Sequence, residues 1–184
     1  MTATATEARL VTCPGPELPA PPAFALTVPE GYLAHPAPGL LAIVEPEARV
    51  EPFQPNVTIA ADLVPATTRP AEVLDRIQAG TARSRPGTTI GSHTPPDAPG
   101  VPPIPVATRR LRVPVGEYSP DPYAVEQVLT VLMVPARGGL AYAFTVAATW
   151  RPAPAGTPDQ DGATLRAIHE SFRVTGPGAT SPTG

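Results

Sequence analysis

The stretch from Tyr123 to Trp150 limits what this chain can fold into more than any other. It contains two long apolar runs, 124–134 and 140–150, joined by Pro135-Ala-Arg-Gly-Gly139. Two such runs across a short glycine-containing loop predict a β-hairpin. The second run alternates with a period of two. Leu140, Tyr142, Phe144, Val146, Ala148 and Trp150 share one side, and Ala141, Ala143, Thr145, Ala147 and Thr149 share the other. One face is large and apolar, and the opposite face is small and nearly neutral. Small side chains let another layer approach closely, so the hairpin is expected at the centre of a sheet. Whether a helix covers the small face separates a pure scaffold from a binding surface.

The length of 184 residues predicts one domain, over 22–175, with a proline-rich lead at 1–21 and a tail at 176–184. Proline reaches 29 residues, a level that suggests disorder unless position argues otherwise. Here it does. Pro29, Pro46, Pro52, Pro55, Pro65, Pro114 and Pro135 flank strand-like runs, where the hydrogen-bond ladder loses little. The net charge of −3 is also low for a disordered chain. All 13 basic residues are arginine and are scattered, so no broad basic face forms and nucleic acid is not an expected partner.

Cys13 is the single cysteine, so no internal disulfide forms. The residues before it lack the basic and apolar regions of a secretory leader. No run of about 20 apolar residues could span a membrane as a helix. The chain as given therefore reads as cytoplasmic, with export by a route not visible in the sequence as the alternative.

Taken in order, the residues predict a strand over Phe24–Val28, a turn at Pro29-Glu-Gly31, and a loop over His35–Gly39. Leu40–Val44 reads as a strand buried on both faces. A loop over 45–55 holds Phe53 beneath it, and a strand follows over 56–64. A helix begins near Pro70, with Val73, Leu74 and Ile77 as its apolar stripe. A weak strand covers 88–94 and a longer one covers 104–115. After the hairpin, Asp159 or Asp161 caps a second helix with the stripe Leu165, Ile168 and Phe172. Residues 172–174 leave it as a short strand. Runs of strands broken by single helices predict an α+β fold: an antiparallel sheet of about six to seven strands with two helices packed on it.

No catalytic constellation is visible. The histidines His35, His93 and His169 are far apart and lack ligand-like neighbours, so no metal is expected. Ser92 and His93 are adjacent on a predicted strand and point to opposite faces, and no nucleophile elbow occurs. Gly138-Gly139 reads as turn chemistry rather than a phosphate loop, so no cofactor is expected. Two sets of residues could serve binding. Arg109, Arg110 and Arg112 either contact an acidic partner or guard an edge strand with charge. Tyr32, Phe53 and Trp150 either line a groove at one end of the sheet or pack internally.

Four segments carry a resemblance. They are Phe24-Ala-Leu-Thr-Val-Pro-Glu-Gly-Tyr32, Pro52-Phe-Gln-Pro-Asn-Val-Thr-Ile59, Ala141-Tyr-Ala-Phe-Thr-Val146 and Ile168-His-Glu-Ser-Phe-Arg-Val174. In order and spacing they are similar to the actinobacterial LpqN-type lipoprotein family, whose fold is like that of the photosystem protein PsbP. The resemblance implies an antiparallel sheet with helices on its faces, no catalytic residues, and a binding or assembly role. A related group of this fold serves as cytoplasmic chaperones for secreted toxins.

The expected function is therefore a non-enzymatic binding or adaptor protein. Its partner is another protein, with a secretion-system substrate or a second copy of the chain as further options. A cytoplasmic chaperone for a secreted effector is the alternative and would require an exposed apolar groove. A small-ligand binder or enzyme is the third. It would show a cleft with His35 or His93 beside a carboxylate of displaced pKa.

Overall fold

The computed structural model describes residues 20–91, 104–115 and 122–175. Two helices and nine strands make up these residues. In chain order they are β1 (Phe24–Ala25), β2 (Tyr32–Ala37), β3 (Leu40–Pro46), β4 (Asn56–Pro65), α1 (Pro70–Ser84), β5 (Thr89–Gly91), β6 (Val106–Val115), β7 (Tyr123–Pro135), β8 (Leu140–Trp150), α2 (Gln160–Glu170) and β9 (Arg173–Val174). Seven strands form one antiparallel sheet in the order β2-β3-β4-β8-β7-β6-β5, and β1 pairs with β9 in a separate ribbon. The fold is the expected α+β class.

The hairpin lies at the middle, with β8 as the fourth of seven strands. Gly138 and Gly139 turn it at φ values of 69° and 73°, a region that glycine enters without steric penalty. The alternation along β8 assigns its two faces to two cores. Tyr142, Phe144, Val146, Ala148 and Trp150 join Val44, Val57 and Ile59 beneath Leu165 and Ile168 of α2. On the other side Ala141, Ala143 and Ala147 join Leu111, Leu129 and Met133 beneath Val73 and Leu74 of α1. The helices thus lie on opposite faces of the sheet. The small face, left open by the sequence, is covered by α1. Ala143 is 0% exposed there. A leucine in its place overfills the α1 layer and is expected to cost about 1–3 kcal/mol. A urea midpoint unchanged in Ala143→Leu would contradict this packing.

Each helix covers only half of its face. α1 packs on β6 and β7, and α2 packs on β8 and β4. The burial along the outer strands shows the offset. On the α1 side of β3 and β4, Ile43, Thr58 and Ala60 are only half-buried, although Val44, Val57 and Ile59 on the other side are wholly buried. On β6 the pattern is reversed. Leu111 and Val113 are buried under α1, and Thr108, Arg110 and Arg112 on the α2 side are not. Two diagonal quarters of the sheet are therefore without a helix among the described residues.

Several local expectations change. Residues 35–37 belong to β2 rather than to a loop, with a bulge between His35 and Ala37. The donor from Glu47 to the Gly31 carbonyl, at 2.9 Å, sets the parity of that strand pair. Tyr32, Ala34 and Pro36 then direct their backbone groups away from β3. Pro36 is tolerated because its missing N–H would face outward. The Tyr32 N–H bonds back to the Pro29 carbonyl at 3.3 Å, so Ala34 alone offers an outward donor on this edge. β3 runs on to Pro46, and of Leu40–Val44 only Val44 is buried, because no helix covers the α1 side above it. The first strand shortens to two residues, although Phe24, Leu26 and Val28 all pack on the α2-side core. Of the weak strand expected over 88–94, residues 89–91 form β5 and 92–94 lie outside the described residues.

Candidate functional site

Alternation on β6 sends its three arginines to two faces. Arg109 shares the α1 side with Leu111. Its Nη1 donates to Asp75 Oδ1 at 2.7 Å and to Gln78 Oε1 at 2.5 Å, which fastens α1 to the sheet. Arg110 and Arg112 stand on the other side, over the quarter that α2 leaves bare. Antiparallel register places Glu126 of β7 directly opposite Arg112. The Glu126 carboxylate accepts from Arg110 Nε at 2.8 Å and from Arg112 Nη1 at 3.2 Å. It is nearly buried, at 9% side-chain exposure, whereas the arginine side chains are 43% and 59% exposed. Two guanidiniums thus share one carboxylate, leaving a local charge of one positive unit. β6 is the second strand from its edge, because β5 pairs with residues 110–112, so these arginines do not guard an outermost strand.

Sequence reasoning passed over Glu126. The signal was present: it is the one carboxylate inside the two apolar runs of the hairpin. A charge at a buried strand position requires a partner of opposite charge, and only the register of β6 against β7 supplies the pair.

The aromatic set does not form one groove. Trp150 is 0% exposed and belongs to the α2-side core. Its Nε1 donates to Asp159 Oδ2 at 2.9 Å, and the Arg166 guanidinium lies 5.2 Å from the ring centre. The other Asp159 oxygen accepts from the Gly162 N–H at 3.3 Å and caps α2. Trp150 is therefore withdrawn from the binding set, because a ring locked between sheet and helix presents nothing to a partner. Tyr32 packs against the same core, and Phe53 packs against the core on the opposite side of the sheet. Burial, with the Asp161 carboxylate adding to it, pushes the Tyr32 phenol above its ordinary pKa.

The other bare quarter carries a histidine pair. His35 Nε2 lies 3.0 Å from Glu45 Oε1, and Nδ1 lies 3.2 Å from the Pro36 carbonyl oxygen. Both partners are acceptors, so the protonated ring donates to both and the neutral ring to one of them. The hydrogen bond to Glu45, then that to Pro36, raises the imidazole pKa above its ordinary value. The stabilisation that follows is fully present below the unfolded-state pKa and is lost as pH rises through the folded one. In an NMR titration His35 is expected to titrate above 6.5 and to fall back in Glu45→Gln. A His35 midpoint unmoved by that substitution would refute the pairing.

This is a histidine beside a carboxylate, but not in an enclosed cleft. The His35 side chain is 45% exposed. The adjoining surface depression, of about 370 Å³, is lined by Leu33, Glu45, Glu47, Arg49, Glu51 and Gln54 among others. His169 is buried on α2. Cys13, Ser92 and His93 lie outside the described residues. Among the described residues, no three His, Cys, Asp or Glu side chains converge as metal ligands, and no helix is long and apolar enough to cross a membrane.

No protein-family model matches the sequence, and no curated protein matches it. Among solved structures the chain is similar to LpqN of Mycobacterium tuberculosis, a protein described as involved in cell envelope biogenesis. The TM-score is 0.55 and the identity 15%, over 85% of this chain and 86% of that one. At that identity the likeness is one of fold, which is the fold that the four segments imply.

Proposed function

We propose that this chain, folded like LpqN, is a non-enzymatic binding or adaptor protein that engages another protein through the bare quarters of its sheet. The observation that carries the reading is the offset of the two helices. α1 and α2 each protect half of one face, and among the described residues the other halves carry no helix and present side chains. The fold likeness to a protein of cell envelope biogenesis fits an assembly role.

The chaperone alternative has less support. Its groove would need contiguous apolar surface. Among the described residues the exposed large hydrophobics are Leu33, Leu63, Ile90, Ile104 and Val106, spread from one edge of the sheet to the other. Pairing of two copies along β2 is also disfavoured, because one outward donor is a poor template for a further strand.

The test is chemical cross-linking of the tagged full-length protein in its own cells, with mass-spectrometric mapping of the linked residues. Cross-links to a partner are expected on the bare sides of β2–β4 and β5–β7. Links confined to the outer surfaces of α1 and α2, or a turnover activity in the purified protein, would overturn the proposal. Cell fractionation of the same material separates a cytoplasmic location from an exported one, and the binding role holds in either.

A further inference from the structure

We infer that Arg110 and Arg112 form a docking site for an extended acidic segment of a partner protein, one carrying carboxylates two residues apart. The inference rests on the binding role above and specifies its chemistry at one of the two bare quarters.

Arg110 and Arg112 stand on one face of β6. Residues at i and i+2 on one face stand about 6.6 Å apart along the chain. An extended partner segment has the same repeat, so two of its carboxylates can meet both arginines in register. Each arginine spends only part of its fork on Glu126: Arg110 uses Nε, and Arg112 uses one Nη. The remaining guanidinium N–H groups have no partner among the described residues, and both side chains reach solvent. Glu126 holds the two forks in place from below without neutralising them. On this side of β5, β6 and β7 it is the only carboxylate among the described strand residues. The Thr108 and Thr130 hydroxyls bond each other at 2.9 Å one step along the same strands and offer a neutral, polar floor.

Charge selects between occupants. The whole chain is acidic at −3, with 13 arginines against 16 carboxylates, so an anionic membrane surface is repelled at long range and gains only a two-arginine contact. A guanidinium fork also accepts phosphate, so inorganic phosphate is the competitor that the test includes. A linear pair of cations fits a linear pair of carboxylates, each held through a guanidinium fork.

The test uses a labelled synthetic peptide, Thr-Glu-Val-Glu-Thr, and its counterpart with glutamine for glutamate, measured by fluorescence anisotropy against the full-length protein. The glutamate peptide is expected to bind about tenfold more tightly, with an affinity that falls as salt rises. Glu126→Gln keeps an acceptor for one arginine, turns an amide N–H toward the other, removes the opposing charge, and should tighten binding several-fold. Arg112→Gln should weaken it about tenfold. Equal binding of the two peptides, or no gain in Glu126→Gln, would overturn the inference. So would competition by inorganic phosphate or anionic vesicles as strong as that of unlabelled peptide. Should Arg112→Gln fail to fold, Glu126→Gln alone decides. If the peptides fail but cross-links to a partner still map to bare sheet, the binding role stands and this chemistry falls.

Discussion

Replacing Trp150 with alanine is expected to remove about 3–5 kcal/mol of stability, the largest loss from any single side chain here. The ring is 0% exposed at the end of the central strand. It lies under α2, against a core that includes Leu165 and Ile168. Its removal empties a site walled by sheet and helix, which cannot collapse freely. It also takes the indole donor from Asp159 and the stacking surface from Arg166. At this chain length the midpoint of thermal unfolding should fall on the order of 10 °C. Circular dichroism must follow the transition, because Trp150 is the chain's only tryptophan and the variant has no indole fluorescence. Trp150→Phe, which keeps most of the ring, should lose about half as much. An alanine variant with a near wild-type midpoint would mean that α2 does not pack on β8 as described.

A pair of glycine substitutions, one in each helix, is expected to give opposite signs, and the one in α2 tests the corner at Trp150. In a helix, glycine to alanine ordinarily stabilises by about 0.5–1 kcal/mol, because the unfolded chain loses freedom. Gly80 in α1 has nothing within 4 Å of an added Cβ, so Gly80→Ala should gain roughly that amount. Gly162 sits in the first turn of α2, and its added Cβ would collide with the Trp150 indole nitrogen and the Asp159 carboxylate. Neither can move cheaply, since the ring is buried and the carboxylate both caps the helix and holds the ring. Gly162→Ala is therefore expected to destabilise by about 1–3 kcal/mol in spite of its better helix propensity. Urea unfolding of the two variants checks the signs. A stabilising Gly162→Ala would break the proposed contact between Trp150, Asp159 and the helix start.

These two corners also show which interactions sequence reasoning could reach. Asp159 and Asp161 were both legible as caps because they precede an apolar helical stripe, and the structure places Asp159 at the N-cap of α2. Its bond to Trp150 was not legible. The two residues are nine apart across a loop, and no periodicity links a strand end to a helix cap. Arg109, Arg110 and Arg112 were legible as one residue facing one way and two the other, because alternation on a strand is strict. What each of them grips was not. Asp75 and Gln78 arrive with a helix from 31 to 34 residues earlier, and Glu126 arrives through the pairing of β6 with β7. His35 was misread as loop because Pro36 looked like a breaker. The strand survives it because an edge strand has a side on which no amide is needed.

By itself the sequence determined the central hairpin, the class of the fold and the two amphipathic helices, and it narrowed the cap of the second to Asp159 or Asp161. All of these follow from local periodicity and turn chemistry, which adjacent residues carry in full. Tertiary structure alone decided what covers the hairpin. α1 closes the face of Ala141, Ala143 and Ala147, and α2 closes the face of Phe144 and Trp150. Both helices are too narrow and too far offset to close the whole sheet. Which quarter of a sheet stays bare depends on strand order and on where each helix docks, and those are set by contacts between residues far apart in the chain.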